Sequence, residues 1–182
     1  QDTGQIEVIT TPYAHPILPL ICDNYVAKES TPDMHLPKIQ FKHPEDAKVH
    51  ISRAIDCYKK LFGKAPDGLW PAEGSVSNQA VSLISSYGIP YIATDEGVLE
   101  HSVKRQFNYL DIYKPYQYQS NGNQIHMFFR DHNLSDAIGF VYSTRPADQA
   151  VKSFMDQILE IRKKLIQKNG AEYLQQQVVS II

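Results

Sequence analysis

The sequence has 182 residues, with 18 Lys and Arg against 20 Asp and Glu and a formal net charge of -2. A chain of this length buries about 70% of its unfolded surface, which excludes disordered and fibrous proteins. The nearly balanced charge gives no field that recruits nucleic acid or an anionic membrane, and no stretch approaches the roughly 20 apolar residues that span a bilayer. We therefore expect a small or neutral partner, no nucleic acid, no membrane and a cytoplasmic location.

The two cysteines, Cys22 and Cys57, have no metal-binding spacing and form no disulfide framework, so both are expected to be buried apolar residues. The chain begins and stops in strand-like runs, residues 5–11 and 178–182. Domains seldom stop inside a core strand, because its edge and apolar side chains would lack neighbours. We therefore expect residues 1–182 to be a single piece of a longer protein, called the parent below.

The chain alternates helical and strand patterns. Six prolines between residues 11 and 44 predict an irregular segment. Apolar residues at three- and four-residue steps then predict helices over residues 44–63, from 77 to 88 with Ser75 or Ser77 as the N-cap, and over 146–168, where Val151 and Leu165 are among the residues expected to face inward.

Short apolar runs predict strands over residues 68–71, 90–96 and 124–129, and a closing strand from about 177. Residues 97–122 are expected to be mostly loop, with a short helix near 98–102. Strands that alternate with helices predict an α/β fold with a mostly parallel sheet, either doubly wound or closed into a barrel.

Charged residues follow three successive strands: Glu73 after the first, Asp95 and Glu96 after the second, and Arg130-Asp131-His132 after the third. Functional groups gather at the carboxyl ends of the strands in such folds. Glu73 alone could be a first-turn helix carboxylate favoured by the helix dipole. The repetition over three strands makes a role in chemistry the better interpretation.

Carboxylates with aromatic rings close by favour sugar chemistry. Trp70, Tyr13 and Phe129 are expected at the same rim as the acids, where rings stack on sugars and carboxylates act as nucleophile or proton donor. A glycine-rich phosphate loop and a Gly-x-Ser-x-Gly elbow are both missing from the sequence.

A metal site is not expected. Three histidines and two aspartates could be drawn together, but no histidine pair has the His-x-x-x-His spacing; they are His15, His126, His132, Asp131 and Asp136. His126 is equally well explained as a packed core residue. Arg130 and Asp131 are explained equally well by an ion pair that fixes the loop after them and by substrate binding.

An ordered set of motifs over nearly the whole chain resembles glycoside hydrolase family 57, in particular its amylase and amylopullulanase-like branch. The motifs are Gly4-Gln5-Ile6-Glu7-Val8, Thr11-Pro12-Tyr13-Ala14-His15-Pro16-Ile17-Leu18-Pro19-Leu20, Gly68-Leu69-Trp70-Pro71-Ala72-Glu73, Ala93-Thr94-Asp95-Glu96 and residues 128–140, which begin Phe128-Phe129-Arg130-Asp131-His132.

The resemblance implies an incomplete (β/α)7 barrel and a retaining mechanism on α-glucans or maltooligosaccharides without metal or cofactor. It implies Glu73 as the catalytic nucleophile and Glu7 as a substrate-contacting glutamate. It also implies pocket or loop-fixing roles for five further residues: His15, Trp70, Arg130, Asp131 and Asp136.

Two family features are missing from the sequence: an opening His-Gln-Pro motif and the acid/base aspartate, which would follow a strand resembling residues 178–182. We therefore expect the chain to be inactive alone. Exposed barrel edges leave two outcomes, a dimer through those edges or their exposure. The alternatives are a metal-dependent polysaccharide deacetylase, which would need an Asp-His-His triad, and a non-catalytic carbohydrate-binding module.

Overall fold

The computed structural model describes residues 4–103, 106–120 and 122–182. The chain divides into two compact units. Unit 1 comprises Gln1–Thr94 and Gln117–Met127, and unit 2 comprises Asp95–Tyr116 and Phe128–Ile182.

Seven α-helices occur in the described part of the chain: α1 Leu18–Cys22, α2 Ala27–Ser30, α3 Pro44–Phe62, α4 Asn78–Ser86, α5 Glu96–Ser102, α6 His132–Asp136 and α7 Ala147–Asn169. The same part of the chain also has short 3₁₀ or π turns at Asn24–Val26, Ala72–Gly74, Tyr109–Tyr113, Ala137–Val141, Tyr142–Thr144 and Ala171–Gln176. Over these same residues, no helix has both the length and the apolar character of a membrane span.

Four strands form one sheet in the order β1-β2-β4-β3: β1 Gly68–Leu69, β2 Tyr91–Asp95, β3 Tyr116–Ser120 and β4 Asn123–Arg130. The strands β1 and β2 are parallel, with Gly68 opposite Tyr91 and Leu69 opposite Ile92. The predicted α/β class is therefore confirmed.

The core of unit 1 is built on α3. Pro44 occupies the first turn, where its missing N–H costs nothing, and Gly63 ends the helix at φ 73°. Of the apolar residues that recur at helical spacing, Ala47, Ile51 and Tyr58 are buried, whereas Leu61 and Phe62 at the end of the helix are exposed. Ser77 accepts a hydrogen bond from the Ala80 amide at 3.2 Å, so Ser77 rather than Ser75 caps α4.

Unit 2 is held together by α7 and by the 3₁₀ turn Tyr109–Tyr113, which contact each other. The Asp111 carboxylate on that turn is buried and pairs with Lys114 at 3.0 Å and with Lys168 of α7 at 3.2 Å. A buried charge needs an opposite charge beside it, and Lys168 supplies one, so this contact ties the C-terminal turn of α7 to the 3₁₀ turn.

The two predicted terminal strands shrink to single bridges. Thr10 forms an isolated parallel bridge with Leu69, and its amide donates to the Gly68 carbonyl at 3.1 Å. Ser180 forms the corresponding parallel bridge with Arg130. The apolar pattern of a run does not show how many residues will pair with a neighbouring strand. In each of these two runs a single β-bridge forms.

The loop predicted over residues 97–122 contains α5, as expected, but also β3. In β3 half-buried and exposed residues alternate from Tyr116 to Ser120. The spacing of Tyr116 and Tyr118 carried this period-two signal, which the glutamines between them and the uneven context obscured.

Several burial predictions are wrong. Cys57 is exposed, although Cys22 is buried and both are free thiols. Phe129 is buried against Tyr116 rather than at a rim. Of the two explanations left open for His126, the packed core residue is wrong, because His126 lies on the exposed face of β4. On α7 Leu165 is buried as predicted, whereas Val151 is 63% exposed.

Gly68 provides a test of the sheet. A Cβ at this position would overlap the ring of Tyr91, its partner across β1 and β2. We expect Gly68→Ala to lower the free energy of unfolding by about 1–3 kcal/mol, the usual cost of overpacking, in chemical denaturation. Gly139→Ala, where the added Cβ meets open space, is the matched control. An equal effect of both substitutions would contradict this account.

Candidate functional site

Glu73 lies on a strained turn directly after β1. The turn Ala72–Gly74 is closed by two backbone hydrogen bonds, Gly74 N–H to Pro71 C=O at 2.9 Å and Ser75 N–H to Ala72 C=O at 3.1 Å. Glu73 itself has φ 57° and ψ 21°, in the left-handed region. Its side chain is 69% exposed, so the turn presents a carboxylate to solvent.

His15 faces Glu73 from a second strained loop. The Nε2 atom of His15 lies 3.4 Å from Oε1 of Glu73. Ala14 and His15 have φ values of 62° and 55°, and together with Glu73 they are the non-glycine residues of positive φ in the described part of the chain. Each such residue costs on the order of 1 kcal/mol, and such strain clusters at functional sites.

Both loops are anchored to regular elements of unit 1. Thr94, fully buried in β2, donates its hydroxyl to the Gly74 carbonyl at 2.5 Å. The Tyr13 backbone is held by α3, where His50 Nδ1 donates to the Tyr13 carbonyl at 2.6 Å and the Tyr13 amide donates to the His50 carbonyl at 3.0 Å. Arg53 stacks 4.1 Å above the Tyr13 ring. These contacts compensate for the strain.

Glu7 is held by Tyr91, whose hydroxyl donates to Oε1 of Glu7. Burial, and then this contact with Glu7, raises the pKa of the Tyr91 hydroxyl, so it stays a donor at physiological pH. Trp70 is half-buried, and its amide donates to the Thr10 carbonyl at 2.8 Å.

In unit 2, Arg130 at the end of β4 binds two carboxylates and an imidazole. Its Nε donates to Asp95 at 2.7 Å, and Nη1 lies 3.8 Å from Asp136. Nη2 lies 3.1 Å from Nδ1 of His132. Because a guanidinium can only donate, His132 Nδ1 accepts, and its Nε2–H donates to Asp136 at 3.0 Å.

Asp131 supports the backbone beside this network. It is buried, and its two carboxylate oxygens accept hydrogen bonds from the Leu134 amide at 2.9 Å and the Tyr113 hydroxyl at 2.6 Å. It thereby caps α6, while burial and Asp131 raise the pKa of Tyr113. The loop after β4 is fixed by Asp131 as a cap and by Arg130 pairing with other carboxylates.

Asp95 and Glu96 are adjacent, but their pKa values are shifted in opposite directions. Burial is the largest influence on Asp95 and raises its pKa, but the hydrogen bonds from the Gly97 amide and the Arg130 guanidinium, with the charge of Arg130, outweigh it and lower the pKa of this carboxyl. Burial raises the pKa of Glu96 more than the hydrogen bond from the His132 amide lowers it. The chain thus holds one carboxylate that favours charge beside one that resists it.

The structure brings together residues singled out in the sequence in two places. His15 lies beside Glu73, and Arg130 and His132 lie beside Asp95 and Asp136. Within the described residues, no three His, Cys, Asp or Glu side chains are grouped as metal ligands. Sequence reasoning missed Tyr91 and Thr94 as supports. Their only signal was position, at the start and near the end of an apolar strand, and no pattern reveals that a hydroxyl will reach another segment.

The raised pKa of Glu96 predicts a pH dependence. A carboxyl whose folded pKa exceeds its unfolded value binds its proton more tightly when folded, so its ionisation destabilises the protein as pH rises above about 4.5. We expect Glu96→Gln to be more stable than the wild type at pH 8 and equal to it near pH 4, in thermal unfolding across that range. Glu100→Gln, at an exposed position on α5, should show no such dependence of its stability difference on pH.

The left-handed turn predicts a second change in stability. Glycine adopts positive φ without a Cβ penalty, so Glu73→Gly should leave the free energy of unfolding unchanged or raise it by up to about 1 kcal/mol. Glu100→Gly, in the helical backbone of α5, should lower it by about 1 kcal/mol. Urea unfolding of the two variants measures the contrast, and an equal loss in both would show that residue 73 is unstrained.

Comparison with known proteins places the chain. A family model described as glycosyl hydrolase family 57 matches residues 1–182. A search of curated proteins gave no match. Among solved structures, a branching enzyme of this family from Thermococcus kodakaraensis is similar at a TM-score of 0.66 and 14% identity, over 100% of this chain and 40% of that one.

Two further structures resemble the chain at lower coverage. A 4-alpha-glucanotransferase from Thermococcus litoralis has a TM-score of 0.56 and 23% identity, over 84% of this chain and 20% of that one. The alpha-amylase AmyC from Thermotoga maritima has a TM-score of 0.55 and 21% identity, over 76% and 22%. The chain thus spans between a fifth and two fifths of these relatives. With its whole length matched by the family model, it belongs to glycosyl hydrolase family 57.

Proposed function

We propose that the chain is part of the catalytic domain of a retaining glycosidase or transglycosidase that acts on α-glucans, with Glu73 as its nucleophile. The observation that carries this is the Glu73 turn, which projects an exposed carboxylate from strained backbone at the end of β1. The family match supports the class of reaction, and the solved relatives are a branching enzyme, a glucanotransferase and an amylase.

In this mechanism a carboxylate oxygen of Glu73 attacks the anomeric carbon and displaces the glycosidic oxygen. A general acid protonates that oxygen as its bond to the anomeric carbon breaks, leaving a glycosyl ester on Glu73. Water, or the hydroxyl of a second sugar, then gives up a proton to the same acid/base and attacks the ester. Hydrolysis follows in the first case and transfer in the second.

The other residues of unit 1 have supporting roles in the proposal. Glu7 contacts the sugar hydroxyls through the oxygen that Tyr91 does not engage, and Trp70 stacks on a sugar ring. His15 donates to the Glu73 carboxylate or to substrate. Solvent exposure of Glu7 and His15 supports these assignments.

For unit 2, the contacts of Arg130 and Asp136 support loop fixing, and their partial exposure leaves room for a substrate hydroxyl. The contacts of Asp131 also support loop fixing, because a sugar could bind this buried carboxylate only by displacing one of its internal donors. Substrate binding by Asp131 stays a prediction.

The proposal also covers the parent. Coverage of 20–40% of the solved relatives supports the view that residues 1–182 are one piece of a larger catalytic domain, and the acid/base is assigned to the remainder. A dimer through exposed sheet edges stays a prediction. So does the cytoplasmic location, with which the free thiols of Cys22 and Cys57 agree.

The test is Glu73→Gln in the parent, assayed on maltooligosaccharides. Loss of the nucleophile should lower kcat by a factor on the order of 10⁴ or more, as when a member of a covalent catalytic unit is removed. Glu100→Gln is the matched control because it is an exposed glutamate of α5, outside the proposed site.

Chemical rescue identifies the atom that Glu73 supplies. With Glu73→Gly and an α-glycosyl fluoride, azide should occupy the space of the carboxylate and yield the β-glycosyl azide. An unchanged kcat in Glu73→Gln would remove Glu73 as nucleophile. Maltooligosaccharide binding in calorimetry by a parent without any glycosidase or transferase activity would favour a carbohydrate-binding module.

A further inference from the structure

His15 bridges two side chains of unit 1. Its Nδ1 lies 2.9 Å from the hydroxyl oxygen of Thr11, and its Nε2 lies 3.4 Å from Oε1 of Glu73. Thr11 is half-buried beside the Thr10 bridge to β1, whereas the His15 and Glu73 side chains are 46% and 69% exposed. The more enclosed end of this chain of contacts is therefore a neutral hydroxyl.

The chemistry of the three groups selects one arrangement of protons. A neutral imidazole carries one N–H, and an ionised carboxylate can only accept. If Nδ1 carried the proton and donated it to Thr11, the lone pair of Nε2 would face the negative charge of Glu73. The arrangement in which every contact is favourable has Thr11 donating to Nδ1 and Nε2–H directed at Glu73.

The backbone of the loop holds the His15 ring in place. The Thr11 hydroxyl is therefore needed only to select the tautomer of the ring. Left-handed φ values at Ala14 and His15 define the loop, and the His15 amide donates to the Pro12 carbonyl at 2.8 Å. The hydrogen bonds to His50 hold the backbone of Tyr13, just before the two left-handed residues. Loss of the Thr11 hydroxyl would leave these restraints intact.

We propose that Thr11 is a positioning residue for Glu73, acting through His15. By donating to Nδ1 it keeps His15 as an Nε2–H donor to Oε1 of Glu73, which leaves Oε2 free to attack. The inference rests on the proposed function of Glu73. When the glycosyl ester breaks, negative charge returns to the Glu73 carboxylate, and the same N–H stabilises it as a leaving group.

The tautomer can be measured without any activity. In this chain labelled with ¹⁵N-histidine, at a pH where the imidazole is neutral, long-range ¹H–¹⁵N correlation distinguishes the two tautomers. The His15 signals are assigned among the seven histidines by their absence in His15→Gln. We expect the Nε2–H form in the wild type and in Thr11→Ser, and a mixture containing the Nδ1–H form in Thr11→Val.

Thr10→Val is the matched control. The Thr10 hydroxyl donates to the Thr11 carbonyl at 3.3 Å rather than to the imidazole, so the His15 tautomer should not change. A wild-type His15 in the Nδ1–H form would overturn the proposal, and this outcome requires no variant to fold. An unchanged tautomer in a folded Thr11→Val would overturn it as well.

Kinetics in the parent then separate positioning from a merely structural contact. One lost hydrogen bond corresponds to a decrease in kcat of roughly three- to tenfold, and we expect this in Thr11→Val with KM little changed. Thr11→Ser should restore kcat, and Thr10→Val should leave it unaffected. A decrease confined to KM would contradict the role.

The two proposals fail in different ways. If Glu73→Gln retains full activity, the proposed function is wrong, but the tautomer result still describes the Thr11 contact. If Glu73→Gln is inactive while Thr11→Val has wild-type kcat, Glu73 keeps its role and Thr11 loses the one proposed here.

Discussion

The hydrogen bond from the Thr94 hydroxyl to the Gly74 carbonyl is the contact on which the candidate site most depends. It joins a fully buried side chain of β2 to the turn that carries Glu73. A left-handed glutamate is unfavourable in isolation, so the turn needs partners that hold it. Thr94 provides one at the main chain, and the two hydrogen bonds within the turn provide the rest. The carboxylate is thus held by its backbone while its side chain stays exposed.

The charged side chains after β2 and β4 are held in part by contacts with one another. Arg130 is surrounded by acceptors, and each of its contacts fixes a neighbour: Asp95 is kept ionised, and the tautomer of His132 is determined. Glu96, one residue further on, is kept from ionising easily by its burial. The sequence presents Asp95 and Glu96 as equivalent acids, whereas their surroundings separate them.

Much of the fold could be predicted because its signals are local. Proline at the start of α3, glycine at its end and apolar residues at helical spacing lie within one window of sequence. The position of Glu73 after a strand was equally visible. The contact of Arg130 with Asp95 and the hydroxyl partners of Glu7 and Gly74 were not visible, because each contact joins residues at least 20 positions apart. The predicted terminal strands failed for the same reason, since a strand is defined by neighbours that the run itself does not contain.

The close approach of Tyr91 to Gly68 links the sheet to Glu7. Gly68 does not have a left-handed φ, so its conformation alone does not require glycine. The space above it is filled by the Tyr91 ring, and the hydroxyl of that ring holds the Glu7 carboxylate. Because Gly68 has no side chain, the Tyr91 ring can pack directly over β1. The position of the ring in turn sets the position of the Glu7 carboxylate. Selection on the acid would then act on a residue that never touches it.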